Sequence, residues 1–255
     1  MRPRFVGRLG IADVVTVANA ILGFLAIAAA TVEPRLAARL VLLAGIGDGL
    51  DGVFARRFGG TPVGEYLDAL SDVVAFGAAP AAVVSAYAVD AWGLSTTSLS
   101  PRLAVAVVVP AVFVGMVVVR LGLYTAYDAG DHHTGGVPST LAATVLAAVV
   151  LAGVGNAGSF AGVNDATLLV AGTAVLSYLM VTTTTYPDLL ARDAFLMGAV
   201  QGLAVLFPNV AGRAFPYAVL TLALAYLLLS PRFYWRPEGR ETGESDGTAR
   251  AEGKR

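Results

Sequence analysis

Two neighbouring stretches decide the fold of this chain: Gly47-Asp-Gly-Leu-Asp-Gly-Val-Phe-Ala-Arg56 and Gly64-Glu-Tyr-Leu-Asp-Ala-Leu-Ser-Asp72. In the first stretch Asp48 and Asp51 are three residues apart, and in the second Asp68 and Asp72 are four apart. Residues at these spacings share one face of a helix. A charge inside a bilayer costs about 2.5–3.5 kcal/mol even on lenient insertion scales, so such residues are usually functional. The two stretches therefore predict paired helices whose acidic faces form one site.

The composition around these stretches is that of a membrane protein. The chain has 255 residues, of which 56% are hydrophobic and 14% charged, and its mean hydropathy is +0.72. Soluble domains have about 45–50% apolar and about 25% charged residues. The net charge of −1 argues against a nucleic-acid partner, which would require a basic surface. The absence of cysteine excludes disulfides and thiol catalysis.

Eight apolar segments approach the length of about 20 residues that a helix needs to cross a bilayer. They cover residues 11–31, 36–56, 66–89, 102–127, 139–155, 165–186, 193–208 and 214–230. Residues 233–255 are polar and charged, which predicts a disordered tail after a transmembrane domain of residues 1–232. The sequence thus predicts an all-α, polytopic integral membrane bundle.

The basic residues predict how this bundle is oriented. With the N-terminus inside, thirteen lysines and arginines lie on the cytoplasmic side and four on the other: Arg35, Arg39, Arg102 and Arg213. Because cytoplasmic loops carry the excess of positive charge, we expect both termini and the acidic site to face the cytoplasm. The predicted location is the cell (cytoplasmic) membrane.

The acidic faces suggest a metal site. Carboxylates that face each other repel unless a cation or a proton lies between them. Oxygen ligands suit Mg²⁺, Mn²⁺ or Ca²⁺, and four carboxylates could hold two such ions, an arrangement that polarises a phosphate. The planar guanidinium of Arg56, at the end of the same helix, suits phosphate binding. Intramembrane carboxylates also occur in cation-coupled transporters, which remain an alternative.

The spacing of these residues resembles the signature of the CDP-alcohol phosphotransferase family. The family pattern D-x-x-D-G-x-x-A-R is matched from Asp48 to Arg56, and G-x-x-x-D-x-x-x-D is matched from Gly64 to Asp72. Seven residues separate the two parts, one fewer than is usual in the family. Because the difference falls in the loop, we expect it to leave both acidic faces in place.

This resemblance implies a reaction and a set of roles. Family members move a substituted phosphate from a CDP-linked lipid to an alcohol and release CMP, with two divalent cations, Mg²⁺ or Mn²⁺. By position, Asp48, Asp51 and Asp68 would be metal ligands, and Asp72 would be both a ligand and the general base. The CDP-binding residues would be Gly52, Ala55, Arg56 and Thr16. The resemblance also implies a six-helix core, here with about two further transmembrane helices, and a homodimer.

Weaker matches point to the phosphatidylserine (archaetidylserine) synthase branch. They are Thr16-Val-Ala-Asn19 with Gly23, Phe76-Gly77-x-x-Pro80, and Gly135-Gly-Val-Pro138-Ser-Thr-Leu-Ala-Ala143. The branch pattern R-L-x-R-F/Y-N reads Arg120-Leu-Gly-Leu-Tyr124-Thr125 here, without the second arginine and the asparagine. Arg120 is a candidate for binding the acceptor or a phosphate. L-Serine is the expected acceptor, with glycerol phosphate and inositol phosphate as alternatives, and the lipid could be CDP-diacylglycerol or CDP-archaeol.

Overall fold

The structure is a computed structural model that describes residues 9–128, 133–153, 164–187 and 189–234. Within these ranges the side chains of residues 51, 54–56, 58, 128, 133 and 191 are outside the described set. The predicted tail, residues 233–255, lies outside it from residue 235 onward. The described chain is almost entirely helical, which confirms the all-α prediction.

Nine α-helices and one short strand pair make up the described fold. The helices are α1 (Ile11–Ala30), α2 (Pro34–Phe58), α3 (Gly64–Asp72), α4 (Ala79–Ala91), α5 (Pro101–Leu123), α6 (Ser139–Ala152), α7 (Asp165–Leu179), α8 (Ala191–Leu206) and α9 (Ala214–Phe233). The strands are β1 (His133–Gly135) and β2 (Thr185–Pro187), and they pair antiparallel. Two π-helical turns, Val73–Ala78 and Tyr124–Asp128, follow α3 and α5, and a 3₁₀ turn, Val210–Gly212, precedes α9.

Several of these helices are suited to a bilayer. Four described helical stretches are long and apolar enough to cross a membrane: Ile11–Ala30, Gly64–Ala91, Pro101–Tyr127 and Val210–Phe233. Helices α6 and α7 are apolar but shorter. Large apolar side chains such as Phe24, Val108 and Leu228 are exposed along the long stretches, as expected where lipid replaces water. Together with the composition, these helices define an integral membrane protein.

Local sequence accounts for the ends of several helices. The Ser100 hydroxyl accepts a hydrogen bond from the Leu103 backbone N–H at 3.1 Å, and Pro101 occupies the first turn of α5. The Asn164 side chain caps α7 in the same manner, through the Ala166 N–H at 2.8 Å. Helix α6 ends at Gly153 in the left-handed conformation, a common helix stop.

Small residues let α1 pack closely against the two helices of the acidic motif. A Cβ at Gly23 would lie 2.8 Å from the Ala75 Cα in the first π-helical turn, and a Cβ at Gly47 would lie 2.6 Å from the Asn19 Oδ1. Close helix contacts of this kind are typical of membrane proteins. By contrast, a Cβ at Gly49 would meet nothing within 4 Å. Gly47 therefore serves packing, and Gly49 leaves open space.

The strand pair joins two distant parts of the chain at one end of the bundle. Thr134 is paired with Tyr186, and Gly135 with Thr185. Gly136, which follows β1, has a φ of +72°, and a Cβ there would lie 2.0 Å from the Met180 carbonyl oxygen. Only glycine fits this position without strain. The segment between α5 and α6 is therefore pressed against the end of α7.

Candidate active site

The structure brings three of the predicted aspartates together. Carboxylate oxygens of Asp48 from α2 and of Asp68 and Asp72 from α3 all lie within 4.8 Å of one another. Asp72 is buried, at 7% exposure, whereas Asp48 is half-buried and Asp68 is exposed. We call this surface the aspartate wall, and it confirms the expectation that the acidic faces of the two helices meet.

The other predicted residues of the motif have a more limited description. Asp51, Ala55 and Arg56 lie in α2, but their side chains are outside the described set, so their assigned roles stay predictions. Gly52, also in α2, is half-buried. Thr16 is buried in α1, where its hydroxyl donates to the Ala12 carbonyl at 3.1 Å. Its carbonyl oxygen accepts a hydrogen bond from the Ser71 hydroxyl, next to Asp72, at 2.8 Å.

A buried carboxylate that sequence reasoning did not place in the site positions the loop between α2 and α3. Asp13 is 2% exposed, and its Oδ2 accepts hydrogen bonds from the Gly10 N–H at 2.7 Å and from the Thr61 hydroxyl at 2.8 Å. A Cβ at Gly64 would lie 3.1 Å from its Oδ1. Asp13 thus ties the start of α1 to the loop that sets α3 against α2.

Among the described side chains, one arginine lies near the aspartate wall. Arg120, near the end of α5, is 9% exposed, and its guanidinium donates to the Ser139 hydroxyl at 3.2 Å and to the Thr134 hydroxyl at 3.1 Å. Its Cζ lies 5.3 Å from the centre of the Tyr124 ring, within cation–π range. We call Arg120, Thr134 and Ser139 the arginine wall. Its three residues come from α5, β1 and the start of α6.

Residues of both walls line an open cavity of about 310 Å³. Its lining comprises Asp48, Glu65, Asp68, Ala69, Asp72, Arg120, Leu121, Tyr124, Thr125, Thr134, Pro138 and Thr140. The cavity therefore contains three of the four predicted aspartates, Asp48, Asp68 and Asp72, together with the predicted Arg120, and Thr16 is not among its lining residues. Acidic oxygens on one side and a guanidinium on the other suit a ligand that carries both a cation-bound phosphate and an anionic group.

Sequence reasoning missed several residues of this cavity. The Thr140 hydroxyl lies 3.4 Å from the Asp48 Oδ2 and donates to it. Thr134 and Ser139 hold Arg120, and Glu65 adds a fourth carboxylate to the described lining. A signal existed for part of this set, because the stretch Gly135–Ala143 matches the branch pattern. Thr134 and Glu65 carry no such signal.

The aspartate wall fits a divalent cation by its donor set. Ca²⁺ and Mg²⁺ bind oxygen ligands at about 2.0–2.6 Å, so two oxygens on one ion are at most about 5 Å apart. The described carboxylate oxygens, which lie within 4.8 Å of one another, meet this condition. Three carboxylates that converge this closely also need a compensating positive charge. The cluster could therefore bind a divalent metal.

Fold and site together define a membrane-embedded enzyme with an acidic, metal-suited cavity. The sequence profile of the CDP-alcohol phosphatidyltransferases matches residues 9–185. The chain belongs to this family, which confirms the prediction made from the aspartate spacing. It is also similar to the archaetidylserine synthase of Methanothermobacter thermautotrophicus, with 28% identity over 184 residues that cover 70% of each protein.

Family membership assigns the general activity. The chain is a transferase of phospholipid biosynthesis that moves a phosphatidyl-type group from a CDP-linked lipid to an alcohol. Members of the family generally use divalent metals, and the aspartate wall is the part of the described chain where one could bind. The matched residues end at β2, so α8 and α9 lie beyond them.

Proposed function

We propose that this enzyme transfers a phosphatidyl-type group from CDP-diacylglycerol or CDP-archaeol to the hydroxyl of L-serine and releases CMP. The observation that carries the proposal is that Arg120, the one arginine among the described lining residues, is buried in the cavity that also contains the aspartate wall. A guanidinium held by two hydroxyls is suited to bind one carboxylate. The name of the archaetidylserine synthase relative supports the same acceptor.

Asp72 is the general base of this proposal. The serine hydroxyl oxygen forms a bond to the phosphorus that carries the lipid, and the bond from that phosphorus to the oxygen of CMP breaks. The hydroxyl proton passes to the Asp72 carboxylate as the new bond forms, because a carboxylate is too weak a base to deprotonate an alcohol beforehand. Asp72 lies at the buried edge of the aspartate wall and lines the cavity that also holds Arg120.

Asp48, Asp51, Asp68 and Asp72 are the proposed ligands of two divalent cations, Mg²⁺ or Mn²⁺. When bound, the cations supply charge neutralisation for the pyrophosphate of the CDP-linked lipid. Gly52, Ala55 and Arg56 are the proposed contacts for the CMP part, with Thr16 as a further candidate. Gly49, where a Cβ would meet nothing within 4 Å, leaves room beside them.

The charge of the cavity favours serine over acceptors that carry a phosphate. Arg120 is the one basic residue among the described residues that line it, against the four carboxylates of Asp48, Glu65, Asp68 and Asp72. Glycerol phosphate and inositol phosphate would bring about two negative charges, more than the guanidinium of Arg120 neutralises. Serine brings one carboxylate for Arg120 and an ammonium group for Glu65, the lining carboxylate that is not assigned to a cation.

The remaining features of the proposal concern arrangement in the membrane. Residues 1–232 form the transmembrane domain, and residues 233–255 form a cytoplasmic tail. The site opens to the cytoplasm, as the distribution of basic residues predicts. The protein works as a homodimer, which rests on the family resemblance alone. A cation-coupled transporter has no support from the family match.

An acceptor competition tests the proposal. Purified enzyme is supplied with CDP-linked lipid, Mn²⁺ or Mg²⁺, and serine, glycerol phosphate or inositol phosphate in parallel reactions, and CMP release is measured. Serine should give the highest kcat/KM by at least tenfold, and the lipid product should contain serine. Preference for a phosphorylated alcohol would overturn the acceptor assignment, and no CMP with any alcohol would overturn the reaction.

A further inference from the structure

The arginine wall is held in place by contacts far along the chain. The Gly136 N–H donates to the Thr184 carbonyl at 2.8 Å, and the Val137 N–H donates to the Leu179 carbonyl at 3.1 Å. Thr134 lies between α5 and Gly136 in the chain, and it is paired with Tyr186 in the strand ladder. The segment that presents Thr134 to Arg120 is therefore fixed against the end of α7 and against β2.

Strand β2 is in turn fixed to α9 by two tyrosines that point in opposite directions. The hydroxyl of Tyr186, on β2, donates to the Leu227 carbonyl of α9 at 3.3 Å. The hydroxyl of Tyr226, on α9, donates to the carbonyl of Pro187 on β2. The two rings lie 6.4 Å apart between their centres. Both hydrogen bonds reach backbone carbonyls, so each hydroxyl must keep its proton to make them.

Burial supports this arrangement. Tyr186 is 4% exposed, and burial raises the pKa of its hydroxyl, so it remains a donor at physiological pH. Tyr226 contacts the ring of Tyr234 edge-on, with 5.9 Å between the ring centres. These residues lie after position 185, where the family match ends. Helix α9 is thus connected through Tyr226 and β2 to Thr134, and Thr134 contacts Arg120.

We infer that Tyr186 and Tyr226 are positioning residues for the alcohol acceptor: they hold β2, and through it Thr134, so that the Arg120 guanidinium faces the cavity in one orientation. This inference rests on the proposed function, because it takes Arg120 as the group that binds the acceptor carboxylate. Tyr186 and Tyr226 do not line the cavity themselves. Their effect is exerted on the acceptor side of the site.

The aspartate wall should be insensitive to these tyrosines. Asp48, Asp68 and Asp72 lie on α2 and α3, and the loop between these helices is tied to α1 through Asp13 and Thr61. The described hydrogen bonds of Thr61, Ser71 and Thr140, which support this wall, do not involve Tyr186 or Tyr226. Loss of a tyrosine hydroxyl should therefore change acceptor binding and leave binding of metal and of CDP-linked lipid unchanged.

Tyrosine-to-phenylalanine variants test this selectivity. Tyr186→Phe and Tyr226→Phe each remove one hydroxyl and keep the ring. We expect the KM for serine to rise about three- to tenfold in each variant, the loss typical of one hydrogen bond, and the KM for CDP-linked lipid to change by less than twofold. Tyr217→Phe is the matched control, because Tyr217 lies at the opposite end of α9 and is 41% exposed. It should leave both constants unchanged.

A second set of variants separates positioning from general loss of structure. Thr134→Val removes the hydroxyl that accepts from Arg120 and should raise the serine KM, whereas Thr134→Ser keeps a hydroxyl and should restore it. If Tyr226 acts through Thr134, the double variant Tyr226→Phe with Thr134→Val should raise the serine KM by less than the product of the single effects. Mn²⁺ binding, followed by electron paramagnetic resonance without lipid, should match wild type throughout.

Three results would overturn the inference. They are an unchanged serine KM in both tyrosine variants, equal rises in the KM values for serine and lipid, and fully multiplicative effects in the double variant. Failure of the proposed function looks different, since the wild-type enzyme would then release no CMP in response to serine. If another alcohol proves to be the acceptor, the same variants measured with that alcohol decide the inference.

Discussion

The two walls of the cavity are built in different ways. The aspartate wall comes from two consecutive helices joined by a short loop, and its three described carboxylates lie within 25 residues of sequence. The arginine wall comes from the end of α5, a three-residue strand and the first turn of α6, and it depends on contacts with residues 179–187. Under the proposed function, the chemistry of phosphate transfer rests on local structure, and acceptor binding rests on tertiary structure.

The largest expected effect lies in the aspartate wall. Asp72→Asn keeps the shape of the side chain but removes the base, so turnover should fall about 10²–10⁴-fold. Binding of CDP-linked lipid with Mn²⁺ should persist, because Asp48 and Asp68 remain. CMP release and lipid binding measured on the same preparation check both statements. Asp90→Asn, the same change at the exposed end of α4, is the control, and turnover near wild type in Asp72→Asn would refute the base assignment.

The second-largest expected effect is a loss of stability caused by a change next to the arginine wall. Gly136→Ala places a methyl group 2.0 Å from the Met180 carbonyl at a φ of +72°, so the backbone must move. We expect a loss of about 2–3 kcal/mol in stability, measured by thermal unfolding in detergent. Gly115→Ala is the control, since a Cβ there would meet nothing within 4 Å.

Gly136→Ala also tests whether the two walls have separate structural supports. Because β1 and the start of α6 move with residue 136, use of serine should be lost before binding of CDP-linked lipid as temperature rises. Simultaneous loss of both would show that the two walls do not depend on separate supports.

A smaller effect is expected from the arginine itself when its charge is kept. Arg120→Lys retains the cation, but a lysine cannot serve two hydroxyls and a carboxylate in one planar arrangement. The serine KM should rise about 20-fold, with little change in the KM for CDP-linked lipid, in steady-state assays of CMP release. Arg39→Lys is the control, because the Arg39 guanidinium binds the Val205 carbonyl at 2.7 Å, away from the cavity. A larger change for lipid than for serine would place Arg120 on the phosphate instead.

The smallest effect concerns the contact between α6 and the aspartate wall. Thr140→Val removes the hydroxyl that donates to Asp48 at 3.4 Å, a long hydrogen bond. The Mn²⁺ concentration for half-maximal binding should rise about three- to fivefold, less than the roughly 10–100-fold typical of a group that orients a metal ligand, because the hydrogen bond is long. Thr173→Val, which removes a hydroxyl bonded within α7, should leave it unchanged. An unaltered metal affinity in Thr140→Val would mean that this contact does not orient Asp48.

The aspartate wall could be predicted from the sequence for a physical reason. Spacings of three and four residues place side chains on one helical face, and a short loop joins the two helices, so Asp48 was expected to lie near Asp68 and Asp72. Helix α1, which packs against both α2 and α3, completes this arrangement. Hydropathy likewise predicted α1 at Ile11–Ala30 and α9 at Ala214–Phe233 to within a few residues. The predicted segment 165–186 was too long, because α7 ends at Leu179 and residues 185–187 form β2. These properties depend only on nearby residues.

The arginine wall could be predicted only in part. Arg120 followed from a match to a flanking pattern, but Thr134 and Ser139 contact it across 14 and 19 residues. Strand β1 has three residues, too few to show an alternating pattern. The π-helical turns after α3 and α5 are likewise too short to produce a recognisable hydropathy pattern. The proposed acceptor-binding residues thus depend on pairing between β1 and β2, which hydropathy does not reveal.

The strand pair also has a consequence for the order in which the enzyme is assembled. Helices of a membrane protein are made and inserted in chain order, so α2 and α3 can come together when about a third of the chain exists. Residues 133–135 can pair only after residues 185–187 have been synthesised, and these follow α6 and α7 in the chain. The hydrogen bonds between the two tyrosines and their carbonyl partners form only after α9 has been synthesised. If the two walls have the proposed roles, a nascent chain can bind a cation before it can bind an alcohol, and the enzyme gains acceptor selectivity last.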